Sequence, residues 1–184
     1  MIDKIRVKKI LRGDREAGEN LVTENYQRLY RFLRHLTGNS SIAEDLTQST
    51  FVKAWEAMPA FRGECRLSTW LHKIAYFEYT HWLRGRRESF PLIAADHLLD
   101  LNADTGFKVV LFTQTLDQLS PELRETFLLY YVQELSMQEV ADVLNISIGT
   151  IKSRLHTARQ RLRELLTESP ILEPLLPETL PVLL

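Results

Sequence analysis

Apolar residues recur at helical spacing along most of the chain, and no stretch alternates apolar and polar residues long enough to predict a strand. Residues 2–10 are basic and amphipathic and predict a first helix. Gly13-Asp14 and Gly18 read as interruptions, after which Leu21, Tyr26, Leu29, Tyr30, Leu33 and Leu36 predict a helix over 21–36. Thr37-Gly38-Asn39-Ser40 breaks the pattern. Ser41 with Glu44 is a capping-box pair, so a third helix is expected from there to about Met58, ahead of Pro59. Its expected core face is Ala43, Leu46, Thr50, Phe51, Ala54, Trp55 and Met58; Asp45, Gln48, Val52 and Glu56 line another face. Residues 61–67, FRGECRL, read as a loop. Ser68 is the expected cap of a fourth helix that starts near Thr69 and stops at Gly85. There Trp70, Leu71, Ile74, Ala75 and Trp82 form the expected buried stripe, leaving Lys73, Tyr76, Phe77 and Thr80 on a different face.

Periodicity lapses over 88–107, which carries Pro91 and several Asp and reads as a linker with one helical turn around 94–101. A helical pattern resumes over 109–119, and Ser120-Pro121-Glu122 opens the next helix with a cap and a proline at its first position. Leu123, Phe127, Leu128, Tyr130 and Tyr131 are expected to pack that helix to about Gln133. Ser136 with Glu139 is a second capping box, predicting a short helix from Met137 on which Val140, Ala141 and Leu144 share a face. Asn145 suits a left-handed turn, and Ser147 can cap a longer helix from Ile148. That helix has an apolar stripe of Ile151, Leu155, Ala158, Leu162 and Leu165. Helix, tight turn and basic second helix make a helix-turn-helix, whose second helix fits a DNA major groove. An ordinary helical hairpin is the alternative. Against it, every formally charged residue from Gly149 to Arg163 is positive, whereas a merely solvated face mixes both signs. The fold class expected is all-α: two small helical domains joined by a flexible linker, the second a helix-turn-helix domain. The domains are residues 1–88 and 109–168, with 89–108 the linker and 169–184 a Pro/Leu-rich tail, either disordered or an apolar strap.

Charge sharpens this picture. The 184 residues carry a formal net charge of only −1, but the basic residues are gathered near the N-terminus, at 84–87 and along 152–163. A neutral total therefore does not exclude nucleic acid, because local patches do the binding. The aromatic fourth helix, beside Arg84, Arg86 and Arg87, offers flat faces and positive charge of the kind unpaired bases bind; for any one ring a core role is the alternative. The single cysteine, Cys65, excludes an intramolecular disulfide framework and a Cys-rich zinc site, and suits a reducing compartment. No run reaches the length of a membrane span and no signal peptide is evident, so no membrane insertion and a cytoplasmic location are expected. Paired carboxylates, a nucleophile with its base, a phosphate-cradling glycine loop and metal-spaced histidines are all lacking; no catalytic residue, metal or cofactor is expected.

Four blocks, AEDLTQSTFVKAW at 43–55, FRGECRLSTWLHKIA at 61–75, LDQLSPELRETFLL at 116–129 and ELSMQEVADVLNISIGTIKSRLHTARQRL at 134–162, resemble in order and spacing the bacterial extracytoplasmic-function sigma factors. With the intervening helices the likeness covers nearly everything from 13 to 166. The resemblance implies a transcription initiation factor that binds core RNA polymerase, through the beta-prime clamp helices and the beta flap, and promoter DNA. It implies core contacts at Asp45, Gln48 and Val52. It places −10 contacts on Phe61, Arg62, Glu64, Cys65 and Arg66 of the loop, and on Lys73, Phe77 and Thr80. In the −35 duplex, Lys152, Ser153, His156 and Thr157 would face base edges, and Thr150, Arg154 and Arg159 would hold phosphates. An anti-sigma factor is the further partner implied. Ser49 stands where the family often has an acidic residue, and Phe77 and His81 where it often has Asn and Asp. The two elements lie about two duplex turns apart, roughly 70 Å, a distance that an extended segment of about 24 residues spans. A stand-alone helix-turn-helix repressor or activator is the competing class; it leaves the 43–55 face and the aromatic helix without a task. A nucleic-acid-processing enzyme is the third, and lacks an acid–base constellation.

Overall fold

A computed structural model describes residues 2–87 and 114–167. Among the described residues all regular structure is helical, as the periodicity predicts. The elements are α1 (Ile2–Leu11), α2 (Arg15–Thr37), α3 (Ser40–Ala57), a 3-10 turn (Met58–Ala60), α4 (Leu67–Arg87), α5 (Pro121–Phe127), a π-helical turn (Leu128–Val132), α6 (Met137–Leu144) and α7 (Ile148–Thr167). Residues 114–117 are also helical. The expected linker with its turn at 94–101, and the tail from 169, lie outside the described residues. The helices fall into two compact units: α1–α4 with α6, and α5 with α7.

In the first unit α2, α3 and α4 pack against one another. Leu21, Leu29, Phe32 and Leu33 of α2 meet Ala43, Leu46 and Ala54 of α3, Met58, and Leu71, Ala75 and Tyr79 of α4 in the core. Each large side chain buried this way contributes about 1.5–3 kcal/mol. Thr47 and Thr50 are buried too; their hydroxyls donate to the carbonyls of Ala43 and Leu46 at 2.6 and 2.7 Å, which removes the cost of an unpaired polar group.

Several boundaries differ from expectation, each for a physical reason. Gly18 does not interrupt α2, which starts at Arg15 with the Asp14 carboxylate accepting from the Ala17 N–H at 3.0 Å. Gly18 lies under the Trp55 indole, where a Cβ would stand 2.8 Å from Cη2. Asn39, not Ser41, caps α3: its side-chain oxygen accepts from the Ile42 N–H at 3.0 Å. Gly38, with φ of 66°, ends α2. α4 runs past Gly85 to Arg87, and starts at Leu67 rather than near Thr69. Ser120 makes no side-chain cap, although Pro121 does stand at the start of α5. On α4, Leu71 and Ala75 are buried as expected, but Tyr79 and His72 join them while Trp70, Ile74 and Trp82 are only half-buried.

In the second unit α5 packs on α7. Phe127, Leu128 and Leu129 are buried, as are Ile151, Leu155, Ala158 and Leu162 of α7, so that stripe is as the spacing predicts apart from half-buried Leu165. Asp117 and Arg124 pair at 2.7 Å and tie the segment before α5 to its first turns.

Candidate nucleic-acid interface

The link between α6 and α7 is built by local chemistry. Asn145 adopts the left-handed conformation with φ of 54°. Ser147 Oγ then accepts from the Thr150 N–H at 3.1 Å, satisfying one of the donors left free at a helix start. The Thr150 hydroxyl, 2.9 Å from Ser147 Oγ, is drawn into the same cap. Burial of the apolar stripe turns Lys152, Ser153, His156 and Thr157 outward and exposed, with Arg154 and Arg159 half-buried. Arg161 and Glu164 pair at 2.9 Å. The first two turns of α7 thus present cationic and hydrogen-bonding side chains and no carboxylate. Positions near the start of a recognition helix are those that reach base edges in a major groove.

The loop before α4 is anchored at its start. The Phe61 N–H donates to the Met58 carbonyl at 3.1 Å, and its ring packs on Trp70 with centroids 5.2 Å apart. Half-buried Phe61 is therefore an anchor of the loop, and Arg62, Glu64 and Arg66 are the exposed members of the group. Cys65 is half-buried, and burial pushes its thiol up from the ordinary value. On α4, Lys73 is exposed and Thr80 half-buried, its hydroxyl donating to the Phe77 carbonyl at 2.9 Å. Phe77 is 59% exposed, so its ring face is open to a stacking partner.

The polar face of α3 is also open. Asp45 and Gln48 are exposed and Val52 is 57% exposed. Ser49 donates its hydroxyl to Glu78 of α4 at 2.6 Å, a bond an acidic side chain at that position would replace with repulsion. Trp55, read from the sequence as core, is 49% exposed and adjoins Val52 one turn on. The missed signal was Gly18: a helix-interior glycine lets the Trp55 indole approach the α2 backbone more closely than a Cβ would allow.

Among the described residues no group of His, Cys, Asp and Glu is arranged to hold a metal ion. No described helix is long and apolar enough to cross a membrane.

Comparison with known proteins identifies two regions, the second of which takes in α6 and most of α7. Residues 21–89 match the family described as Sigma-70 region 2, and residues 110–162 match Sigma-70 region 4. The chain belongs to the RNA polymerase sigma factor family. Within it, the chain is a member of the extracytoplasmic-function group. It is 28% identical to the ECF RNA polymerase sigma factor SigW of Bacillus subtilis, over 91% of this chain and 98% of that one. It is 30% identical to the RNA polymerase sigma factor YlaC of the same organism, over 84% and 95%. Among solved structures, the sigma factor RpoE in complex with the anti-sigma factor NepR from Bartonella quintana is similar with a TM-score of 0.70 and 30% identity, over 81% of this chain and 96% of that one. CnrH, solved with the cytosolic domain of CnrY, shares the fold at a TM-score of 0.72 and 23% identity, over 91% and 98%.

Proposed function

We propose that this chain directs core RNA polymerase to promoters by holding two DNA elements at once, with a separate face for each partner. Residues 1–88 bind polymerase and the −10 element, and residues 109–168 bind the −35 element. Asp45, Gln48 and Val52 meet the beta-prime clamp helices, and the second unit meets the beta flap. Arg62, Glu64 and Arg66, with Lys73, Phe77 and Thr80, receive the melted −10 strand. Unstacking a base costs a few kcal/mol, and a flipped base that finds a pocket and an aromatic face offsets that cost. Lys152, Ser153, His156 and Thr157 read duplex edges, while Arg154 and Arg159 grip phosphates. The polymerase supplies the chemistry; the chain needs no catalytic group of its own and acts where the polymerase does, in the cytoplasm. An anti-sigma factor holds the chain in a resting state; the similar RpoE was solved in complex with the anti-sigma factor NepR. The observation that carries the reading is the coexistence, in one chain with both sigma regions, of exposed Phe77 and an all-positive first half of α7.

Two substitutions test the assignments. Asp45→Lys is expected to weaken core binding about fivefold, the scale of one interfacial charge contact of about 1 kcal/mol. Equilibrium titration of labelled protein with core enzyme reads this, and unchanged affinity removes Asp45 from the interface. Arg154→Ala is expected to lower promoter affinity in the holoenzyme and to reduce the slope of log affinity against log salt by about one. An unaltered slope means that Arg154 touches no phosphate.

A further inference from the structure

Helix α1 precedes the stretch matched to region 2, which begins at residue 21. Its first turn nevertheless reaches the 61–66 loop. Asp3 Oδ2 accepts a hydrogen bond from the Leu67 N–H at 3.0 Å, across 64 positions of sequence. Leu67 opens α4, so its N–H is one of those a helix start leaves without an internal partner. Asp3 is thus an N-terminal cap supplied by a different helix, and its carboxylate suits the positive end of the α4 dipole. One residue on, the Lys4 stem lies over Gly63. Gly63 has φ of +67°, and a Cβ there would fall against Lys4 Cε and 2.6 Å from Cγ. α1 is itself held firmly: Val7 and Ile10 are buried. Arg6 makes a bidentate pair with Glu24 of α2 at 2.7 and 2.9 Å, and the hydrogen bonds from Arg6 hold the Glu24 carboxyl below its ordinary value.

We propose that Asp3 and Lys4 are positioning residues for −10 recognition, with α1 acting as a brace that sets the shape of the loop presenting Arg62, Glu64 and Arg66. The inference rests on the assignment of that loop to the −10 element made above. The loop has no regular hydrogen bonding of its own. Its start is tied by Phe61 to Met58 and Trp70. Its middle turns at Gly63 beneath Lys4, and its exit is tied by Asp3. Capture of a flipped base needs a pocket whose walls hold still to within about 0.5 Å, and a loop fixed at one end only does not provide that. The brace touches no DNA; it acts through the loop.

The test uses full-length protein in complex with core polymerase and compares capture of a single-stranded −10 oligonucleotide with that of the same oligonucleotide carrying one changed base. Asp3→Ala and Gly63→Ala are expected to lower the matched-to-mismatched ratio about fivefold, the population factor for loss of one helix cap. Core affinity, and duplex −35 binding by the holoenzyme, stay within twofold of the parent. Asp3→Asn restores most of the ratio, because the amide oxygen still accepts from Leu67. Arg62→Ala and Arg66→Ala serve as direct tests of the loop. If these two leave the ratio unchanged, the −10 assignment itself falls and the brace falls with it. If they lower it while Asp3→Ala and Gly63→Ala do not, the brace alone is overturned. A parallel loss of core affinity in Asp3→Ala, not relieved by Asp3→Asn, assigns α1 a purely structural role and also overturns the proposal.

Discussion

Val52→Glu lowers the affinity for core polymerase about a hundredfold while the helical fold is untouched. Val52 is 57% exposed and sits between exposed Gln48 and half-exposed Trp55, so the parent chain shows solvent an apolar spot where a solitary monomer gains nothing from one. In the proposed complex that spot is the dry centre of the contact. Losing a central contact costs about 2 kcal/mol or more, and a carboxylate buried there without a partner adds further cost. A total near 3 kcal/mol is about a hundredfold in affinity. Because the position is exposed in the free chain, thermal unfolding should shift by no more than about 0.5 kcal/mol. Titration with core enzyme beside a melting curve measures both. A change under threefold in affinity moves the polymerase contact away from this face of α3.

The second large effect is on the other unit. Ile151→Ala removes a side chain with no solvent exposure from the stripe that packs α7 on α5. Such truncations cost about 2–5 kcal/mol, a large share of the roughly 5–15 kcal/mol that stabilises a whole domain. The melting transition of this unit should fall by many degrees and −35 binding should vanish, while holoenzyme formed with the variant still captures the single-stranded −10 oligonucleotide. By contrast Lys152→Ala, one residue on and exposed, should leave the melt unchanged and alter only base preference, by about 1–3 kcal/mol at the contacted pair. Equal stability of Ile151→Ala and the parent would contradict the packing.

What the amino-acid order disclosed about this fold was mostly what is local. Asn145 and Ser147 announce the turn because the left-handed conformation and the cap are made by neighbours within three positions. The α7 stripe is legible because one face of one helix meets one core. The misreadings share a different cause. Gly18 reads as a break because the ring that packs on it belongs to Trp55 of another helix. Ser68 reads as the cap of α4 because the true acceptor, Asp3, lies in α1. Asn39 and Ser41 are both able to cap, and only the helix geometry selects between them. Among candidate contacts, family motifs found the exposed residues of α3 and α7, but they did not separate Phe61, packed on Trp70, from Phe77, which is open. Side-chain exposure on an aromatic helix depends on partners that no single segment contains.

Two promoter-gripping units that work only on a shared enzyme are the central proposal. Promoter binding and run-off transcription, assayed with the purified chain alone, core polymerase alone and the two together, test that most directly. Discrete transcripts and promoter-specific complexes with the combination, and neither with either component alone, are the expected result. Specific duplex binding by the chain without polymerase, or no complex and no transcript with it, would contradict the account.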